Sequence, residues 1–386
     1  MSNTKLKMGM IGGGKNAFIG AVHRMAAGID GLIELCCGAL SSDPLVAKES
    51  GELLGLPKER VYASYQEMIM RESELSPEDR MNFVSIVTPN FAHFEPAMMA
   101  LEYGFHVVLE KPMTFTLEQA LLLQKKVEET GLMLCVTYTY SAYPMVKQAR
   151  QLVREGQLGT IRKIMVEYPQ GWLSKLIENG PSSLAFWRTD PEKSGKSGCM
   201  GDIGTHAAHL AEYISGLKIT KMCADLQTFV AGRKLEDDGN TLLSFENGAT
   251  GVLSASQVAA GEENALKIRI YGEHGGLEWN QQDANTLIFK QLDAPMQLFR
   301  AGQPYLSPIA KHNIRLPAGH PEGYIEAFAN IYRNFATSLS ATMQGIAPTE
   351  EDIDFPTVAD GVRGMKFLET VIASGKSEQK WTDFLN

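Results

Sequence analysis

Apolar runs of four to eight residues alternate with stretches of helical periodicity through the first third of the chain. Lys7–Ile11 reads as a buried strand, residues 20–29 as a helix, Leu32–Leu40 as a second strand and residues 44–55 as a helix. The series continues with a strand at Asn82–Pro89, a helix at 94–104, a strand at His106–Pro112, a helix at 117–131 and a last apolar run at 132–139. Short apolar strands separated by amphipathic helices predict a parallel sheet with helices on both faces.

Beyond Thr139 the pattern changes. Residues 144–156 and 202–216 are helical, and Ile161–Tyr168 is a strand. Residues 221–230, 240–256, 266–280 and 285–290 then alternate with period two, the mark of strands with one solvated face. Asn247-Gly248 and Gly275-Gly276 read as hairpin turns between them. Residues 323–341 form a late amphipathic helix. The division predicts an α/β chain of two domains. Residues 1–139 form a Rossmann-type dinucleotide-binding domain, and residues 140–386 form an α+β domain on an open mixed or antiparallel sheet.

Length agrees, since 386 residues exceed one ordinary core. With 44% hydrophobic and 21% charged residues the composition is globular. A net charge of −9 with no basic block argues against nucleic acid and anionic membrane as partners. No apolar stretch approaches the ~20 residues of a membrane span, and the N-terminus has no signal-peptide core. Five cysteines without a CxxC pair read as reduced thiols of a cytoplasmic protein.

Residues 8–24 read MGMIGGGKNAFIGAVHR. A Gly-x-Gly-x-x-Gly turn starting at Gly12 and Gly14 would put its third glycine at 17, where alanine stands. The turn therefore has alanine in that slot, carries extra residues, or is an ordinary glycine loop. A strand before it, a helix after it and a second strand from Leu32 favour a pyrophosphate-binding turn. The second strand ends at Ser41, where an acidic residue would hold an adenosine ribose. Serine does not repel a 2′-phosphate, and no arginine follows to bind one, so NAD and NADP both stay open.

Further motifs bring in a family. Residues 85–112 contain Thr88-Pro89-Asn90, His93 and Glu110-Lys111-Pro112; residues 198–216 contain Asp202-x-Gly204-x-His206; residues 320–335 form the late helix. In these the chain resembles the Gfo/Idh/MocA oxidoreductases, the family of glucose-fructose oxidoreductase and inositol dehydrogenase. The resemblance implies that Gly20 to His23 close a turn lengthened by three residues, so that Lys15 and Asn16 project toward the cofactor. It also implies a cofactor site of Gly12, Gly14, Lys15, Asn16, Ser41, Thr88, Asn90, His93, Glu110 and Lys111. A cis Lys111–Pro112 bond and a homo-oligomer, dimer or tetramer, follow from it as well.

Chemistry fits that implication. A lysine ending a parallel strand lies where such sheets bind ligands, and its ammonium can stabilise developing alkoxide charge. Asp202 and His206 lie one helical turn apart, and an imidazole of pKa ~6.5 suits a hydroxyl proton. The family makes Lys111, Asp202 and His206 its catalytic set. Tyr168, Gln170, Trp172, Trp187 and Arg188 add aromatic faces and hydrogen-bonding groups for a sugar or cyclic polyol. His209, where the family commonly has Asp or Asn, is a further substrate contact. With Asp202 and His206 it also has metal-ligand spacing, so a metal-dependent hydrolase or lyase is one alternative. A non-catalytic NAD(P)-binding regulator of the same fold is another. No metal is expected in the leading reading.

Overall fold

Each apolar run of the first third becomes a strand of one parallel sheet. The computed structural model describes residues 5–15, 17–178 and 187–385. The chain divides into two compact units, Met1–Thr137 with Tyr324–Val362, and Tyr138–Gly323 with Arg363–Asn386.

In the first unit β1 (Leu6–Gly12), β2 (Ile33–Ala39), β3 (Phe83–Val87), β4 (His106–Leu109) and β5 (Leu134–Val136) are all parallel, in the order β2-β1-β3-β4-β5. Outside β2, Val61 makes a single parallel bridge to Gly38, and the Tyr62 N–H donates to the Gly38 carbonyl at 2.9 Å. Counting that bridge, the order is the 3-2-1-4-5-6 of a dinucleotide-binding sheet with its third strand reduced to one residue. The apolar pattern is silent at that point because one residue has no periodicity.

Helices α1 (Phe18–Gly28), α2 (Pro44–Leu53), α3 (Tyr65–Glu74), α4 (Phe94–Glu102) and α5 (Leu117–Thr130) cross between the strands. Their ends follow local chemistry. Asp43 accepts the Leu45 and Val46 N–H groups ahead of Pro44 at the first helical position. Thr116 and Gln119 form a reciprocal capping box, and Gly131 ends α5 in the left-handed region. The pattern missed α3 in a polar stretch. Ser64 caps it, and it buries Met68, Ile69 and a paired carboxylate, Glu72.

The late helix, Tyr324–Met343, belongs to the first unit. His23 of α1 meets Phe328 with ring centroids 4.6 Å apart, and Phe83 meets Phe335 at 5.1 Å. The Val136 N–H of β5 donates to the Pro356 carbonyl at 2.9 Å. Drawing the second domain as 140–386 left this segment with the wrong sheet. Amphipathic periodicity reveals a buried face but not what covers it.

The second unit is a nine-stranded mixed sheet. Its strands are β6 (Ile161–Pro169), β7 (Ile219–Gln227), β8 (Asp238–Phe245), β9 (Thr250–Ser256), β10 (Lys267–Gly272), β11 (Gly275–Asn280), β12 (Thr286–Gln291), β13 (Gln297–Arg300) and β14 (Thr382–Asp383). They run in the order β13-β12-β11-β10-β6-β9-β8-β7-β14, with β6 and β9 parallel and the other pairs antiparallel. Helices α6 (Pro144–Arg154) and α7 (Thr205–Ser215) cover one face. The Asn247-Gly248 turn joins β8 to β9, with Gly248 at φ +85°. Gly275-Gly276 is not a turn. The chain reverses at Glu273-His274, whose N–H groups bond the Thr160 and Leu158 carbonyls. Both glycines lie inside β11, where a Cβ would stand 2.5 Å from the Lys290 carbonyl oxygen or 2.7 Å from the Tyr271 ring. They are there for close strand approach. No described helix is long and apolar enough to cross a membrane, and all five cysteines are free thiols.

Candidate active site

The glycine turn carries extra residues. Gly12 and Gly13 have φ of +80° and +72°, conformations that favour glycine. A Cβ on Gly20 would lie 2.3 Å from the Gly13 Cα and 2.5 Å from its carbonyl oxygen. Gly20, rather than Ala17, is therefore the residue that lets α1 close on the end of β1. The Gly14 N–H donates to the Leu40 carbonyl at 3.0 Å and the Lys15 N–H to Ser50 Oγ at 2.8 Å, tying the turn to the end of β2 and to α2. The Lys15 ammonium pairs with Glu49 at 3.0 Å on the surface. Asn16 lies outside the described residues. The N-cap of α1 is Ala17, which offers no side-chain acceptor, and the helix's first turn has no acidic residue. Bare backbone at a helix start, reached through glycines that a Cβ would block, suits a dinucleotide pyrophosphate.

At the end of β2, Ser41 Oγ accepts the Asp43 N–H at 3.1 Å, while the Asp43 carboxylate is engaged in capping α2. At the end of β3, Thr88 Oγ1 donates to the Ala92 carbonyl at 3.0 Å across a single turn that buries Asn90. The buried ring of His93 lies 2.9 Å from both the Thr88 and Pro112 carbonyls, joining the segments that follow β3 and β4. Burial lowers its pKa, against the two carbonyls, which raise it. The Lys111–Pro112 peptide is cis.

Glu110 sits among polar groups with almost no access to water. His23 Nε2 is 2.9 Å from its Oε1, Thr137 Oγ1 donates to the same oxygen at 2.7 Å, and the Lys111 N–H donates to Oε2 at 3.2 Å. With Nε2–H turned to the carboxylate, His23 Nδ1 accepts from the Tyr332 hydroxyl at 2.6 Å. Ser85 joins them, 2.8 Å from that hydroxyl. Burial alone would raise the Glu110 pKa, but His23, the Lys111 charge and Thr137 outweigh it and hold the carboxyl at about 2.

In the second unit the Asp202 motif begins as a π turn, Met200–Gly204, before α7. Such turns are frequent at functional sites. Asp202 lies within the turn and His206 in the first turn of α7, 7% exposed. The His206 ring stands edge-on to Tyr140 at 4.8 Å and to Tyr138 at 5.6 Å. His209 instead stacks on Tyr138, 4.4 Å away and 11° from parallel. Among the described residues, Asp202, His206 and His209 do not gather ligand atoms within reach of one ion. The set that does is Cys36, Cys37 and Glu72, whose carboxylate is already taken by Arg60, Tyr62 and the Met81 N–H.

Beside this motif Tyr168, Gln170 and Trp172 share one hydrogen-bonded system with Tyr140, Gln257 and Asn264. Trp187 and Arg188 contact each other, the guanidinium 4.5 Å from the ring. Tyr138, Tyr140, Gln257 and Asn264 were missed from sequence. Tyr138 falls in the apolar run that reads as a strand, and Tyr140 and the two amides belong to no motif.

Residues 6–138 match the oxidoreductase family with an NAD-binding Rossmann fold, and residues 146–278 match the GFO/IDH/MocA C-terminal domain. The chain belongs to the GFO/IDH/MocA oxidoreductase family. Among its relatives in that family, the uncharacterized oxidoreductase YfiI of Bacillus subtilis is 33% identical over 382 residues, 98% of this chain and 97% of its own. The levoglucosan dehydrogenase of Pseudarthrobacter phenanthrenivorans is 25% identical over 411 residues, 98% of each chain. An inositol dehydrogenase homolog of Azotobacter vinelandii, solved with NAD+, superposes with a TM-score of 0.93 at 35% identity over the whole of both chains. It was also solved with NADH and myo-inositol, with a TM-score of 0.90 at 34% identity and the same coverage. The protein is thus an oxidoreductase with an NAD-binding Rossmann domain.

Two consequences can be measured. Gly20→Ala forces a Cβ against Gly13 and is expected to cost about 1–3 kcal/mol in urea unfolding. It should also weaken NADH binding at least about tenfold by fluorescence titration, since the turn must open. The low pKa of Glu110 stabilises the fold fully above pH ~4.5, a contribution lost as pH falls toward 2. Glu110→Gln should therefore lose on the order of 3 kcal/mol at pH 7 and far less near pH 2. Equal losses at both pH values would contradict the ionised pairing.

Proposed function

We propose that the protein reversibly oxidises a secondary hydroxyl of a sugar or cyclic polyol with NAD or NADP. The observation that carries this reading is the wall of tyrosine rings and paired amides beside Asp202 and His206. A polyol ring presents apolar C–H faces for aromatic cover and hydroxyls that need directed partners. The Azotobacter relative, with its NADH and myo-inositol, supports the same class.

The cofactor, held by Gly12, Gly14, Lys15, Asn16, Ser41, Thr88 and Asn90, supplies the hydride acceptor when bound. Lys111 donates a hydrogen bond to the reacting oxygen and stabilises negative charge on it. His206 takes the hydroxyl proton, and Asp202 orients its ring or a neighbouring hydroxyl. Glu110 and His93 position Lys111 through the strand end and the Pro112 carbonyl. Tyr168, Gln170, Trp172, Trp187, Arg188 and His209 contact the substrate. We also propose a cytoplasmic homo-oligomer. The uncovered face of the nine-stranded sheet exposes Leu242 and Leu298, 45% and 55% accessible, an apolar surface that a second copy would cover.

Lys111→Ala is expected to abolish turnover, read as nicotinamide absorbance, while NADH binding by fluorescence stays within about threefold of wild type. His206→Ala should lower alcohol oxidation by about 100-fold or more and remove the acidic limb of its pH–rate profile. Near-normal turnover in either variant would remove that residue from the mechanism. On a ring-matched panel of neutral, uronic-acid and phosphorylated sugars, neutral rings should give the highest kcat/KM. A preference for charged members that disappears in Arg188→Gln would assign Arg188 to an anionic substrate group instead.

A further inference from the structure

Gln257 follows the last residue of β9 and is 2% exposed. Its backbone is held on both sides: the N–H donates to the Asp237 carbonyl at 2.8 Å, and its carbonyl accepts the Leu173 N–H at 3.0 Å. Its side-chain Nε2 donates to Asp202 Oδ2 at 2.8 Å. We propose that Gln257 is the positioning residue for Asp202, presenting a fixed N–H that keeps this carboxylate ionised and aimed. Only the kinetic arm of this proposal rests on the dehydrogenase reading above.

The direction of that N–H follows from the chemistry of the groups at each end of the system. The Trp172 indole can only donate, and its Nε1 stands 3.0 Å from Gln170 Oε1. Gln170 therefore turns Nε2 the other way, to Asn264 Oδ1 at 2.7 Å. Asn264 Oδ1 also accepts from the Tyr168 hydroxyl at 2.7 Å, and its Nδ2 donates to the Tyr140 oxygen at 3.1 Å. Tyr168 has spent its one proton on Asn264, so Tyr140 donates to Tyr168 and closes a three-membered ring of hydrogen bonds with a single sense. Reversing Asn264 would set its NH₂ against that of Gln170. The Gln170 Oε1 so oriented lies 3.5 Å from Gln257 Nε2, leaving the donor end of Gln257 between that oxygen and Asp202. A proton on Asp202 Oδ2 would put donor against donor. The partly exposed indole of Trp172 thus biases the charge state of Asp202 through two amides.

Of the ionisable groups of this unit, Tyr140 and Cys199 feel the Asp202 charge, Glu236, Asp237 and Asp238 act on Cys199, and His206 lies four residues on in α7. All of them stay in place in the variants below. Burial, then the Asp202 charge, keep the Tyr140 phenol protonated.

The test follows the Asp202 carboxyl itself, by carbon NMR of aspartate-labelled protein, with Asp202→Asn assigning the signal. In Gln257→Glu two carboxyls face each other and share a proton, so the upper midpoint should rise by about one unit or more. Gln257→Met, similar in volume but without a donor, should raise the midpoint less, and Trp172→Phe less again. In Gln257→Met kcat should fall about tenfold while KM for the cofactor stays within about twofold. An Asp202 midpoint unmoved in Gln257→Met and Trp172→Phe, with far-UV circular dichroism and melting as in wild type, would overturn the proposal. If Gln257→Glu does not fold, those two variants decide it. A wild type that binds NADH but oxidises no polyol would overturn the dehydrogenase reading alone, because the carboxyl titration needs no turnover.

Discussion

A carboxylate shut away from water must be answered on every side, and the first unit is arranged around one that is. Glu110 takes hydrogen bonds from α1 through His23, from the end of β5 through Thr137 and from its own strand end through the Lys111 N–H. His23 is three residues past Gly20, whose missing Cβ sets how closely α1 can approach β1. Tyr332 reaches the other side of the same imidazole from the late helix. A single buried charge therefore connects the glycine turn, three strands and a distant helix. Removing one partner would strand the others, which costs several kcal/mol for a buried ion.

The second unit is built beside Asp202 from a different material. Gln257, which donates to Asp202, belongs to a system with Gln170, Asn264, Tyr140 and Tyr168, neutral groups whose value lies in direction rather than charge. A neutral hydrogen bond contributes about 1 kcal/mol, yet leaving a buried donor unmade costs more than that. Under the proposed function, such a wall favours ligands that match every donor and acceptor and penalises those missing one hydroxyl.

How much of this was legible differs by the kind of signal. Strand and helix alternation in residues 6–136 was readable because burial on one or two faces imposes a period. Lys111, Asp202 and His206 stand out as candidates because they lie in compact motifs. The third glycine was readable only through resemblance, since contact between Gly13 and Gly20 is a fact of three dimensions. Gly275-Gly276 misled because glycine serves both tight turns and tight strand approach, and composition does not separate the two. Gln257 and Asn264 carried no signal at all. Their positions depend on the loops around β9 and β10, and an isolated amide in a loop looks like any solvated residue. Asp202, His206 and His209 have metal-ligand spacing in the sequence, while the His209 ring stacks on Tyr138.

The bond between His23 and Tyr332 spans 309 positions of sequence. During synthesis the five strands of the nucleotide-binding sheet are made early, but the ring that seats against His23 follows eight of the nine strands of the second sheet, with only β14 still to come. About half of the chain is made between the end of β5 and the point at which Phe328, Tyr332 and Phe335 are all present. At a synthesis rate of roughly 5–20 residues per second, His23 is made tens of seconds before the helix that meets it. The order of the genetic message therefore gives the first unit its sheet before the second unit is begun, and its last segment, Tyr324–Val362, only near the end of the chain.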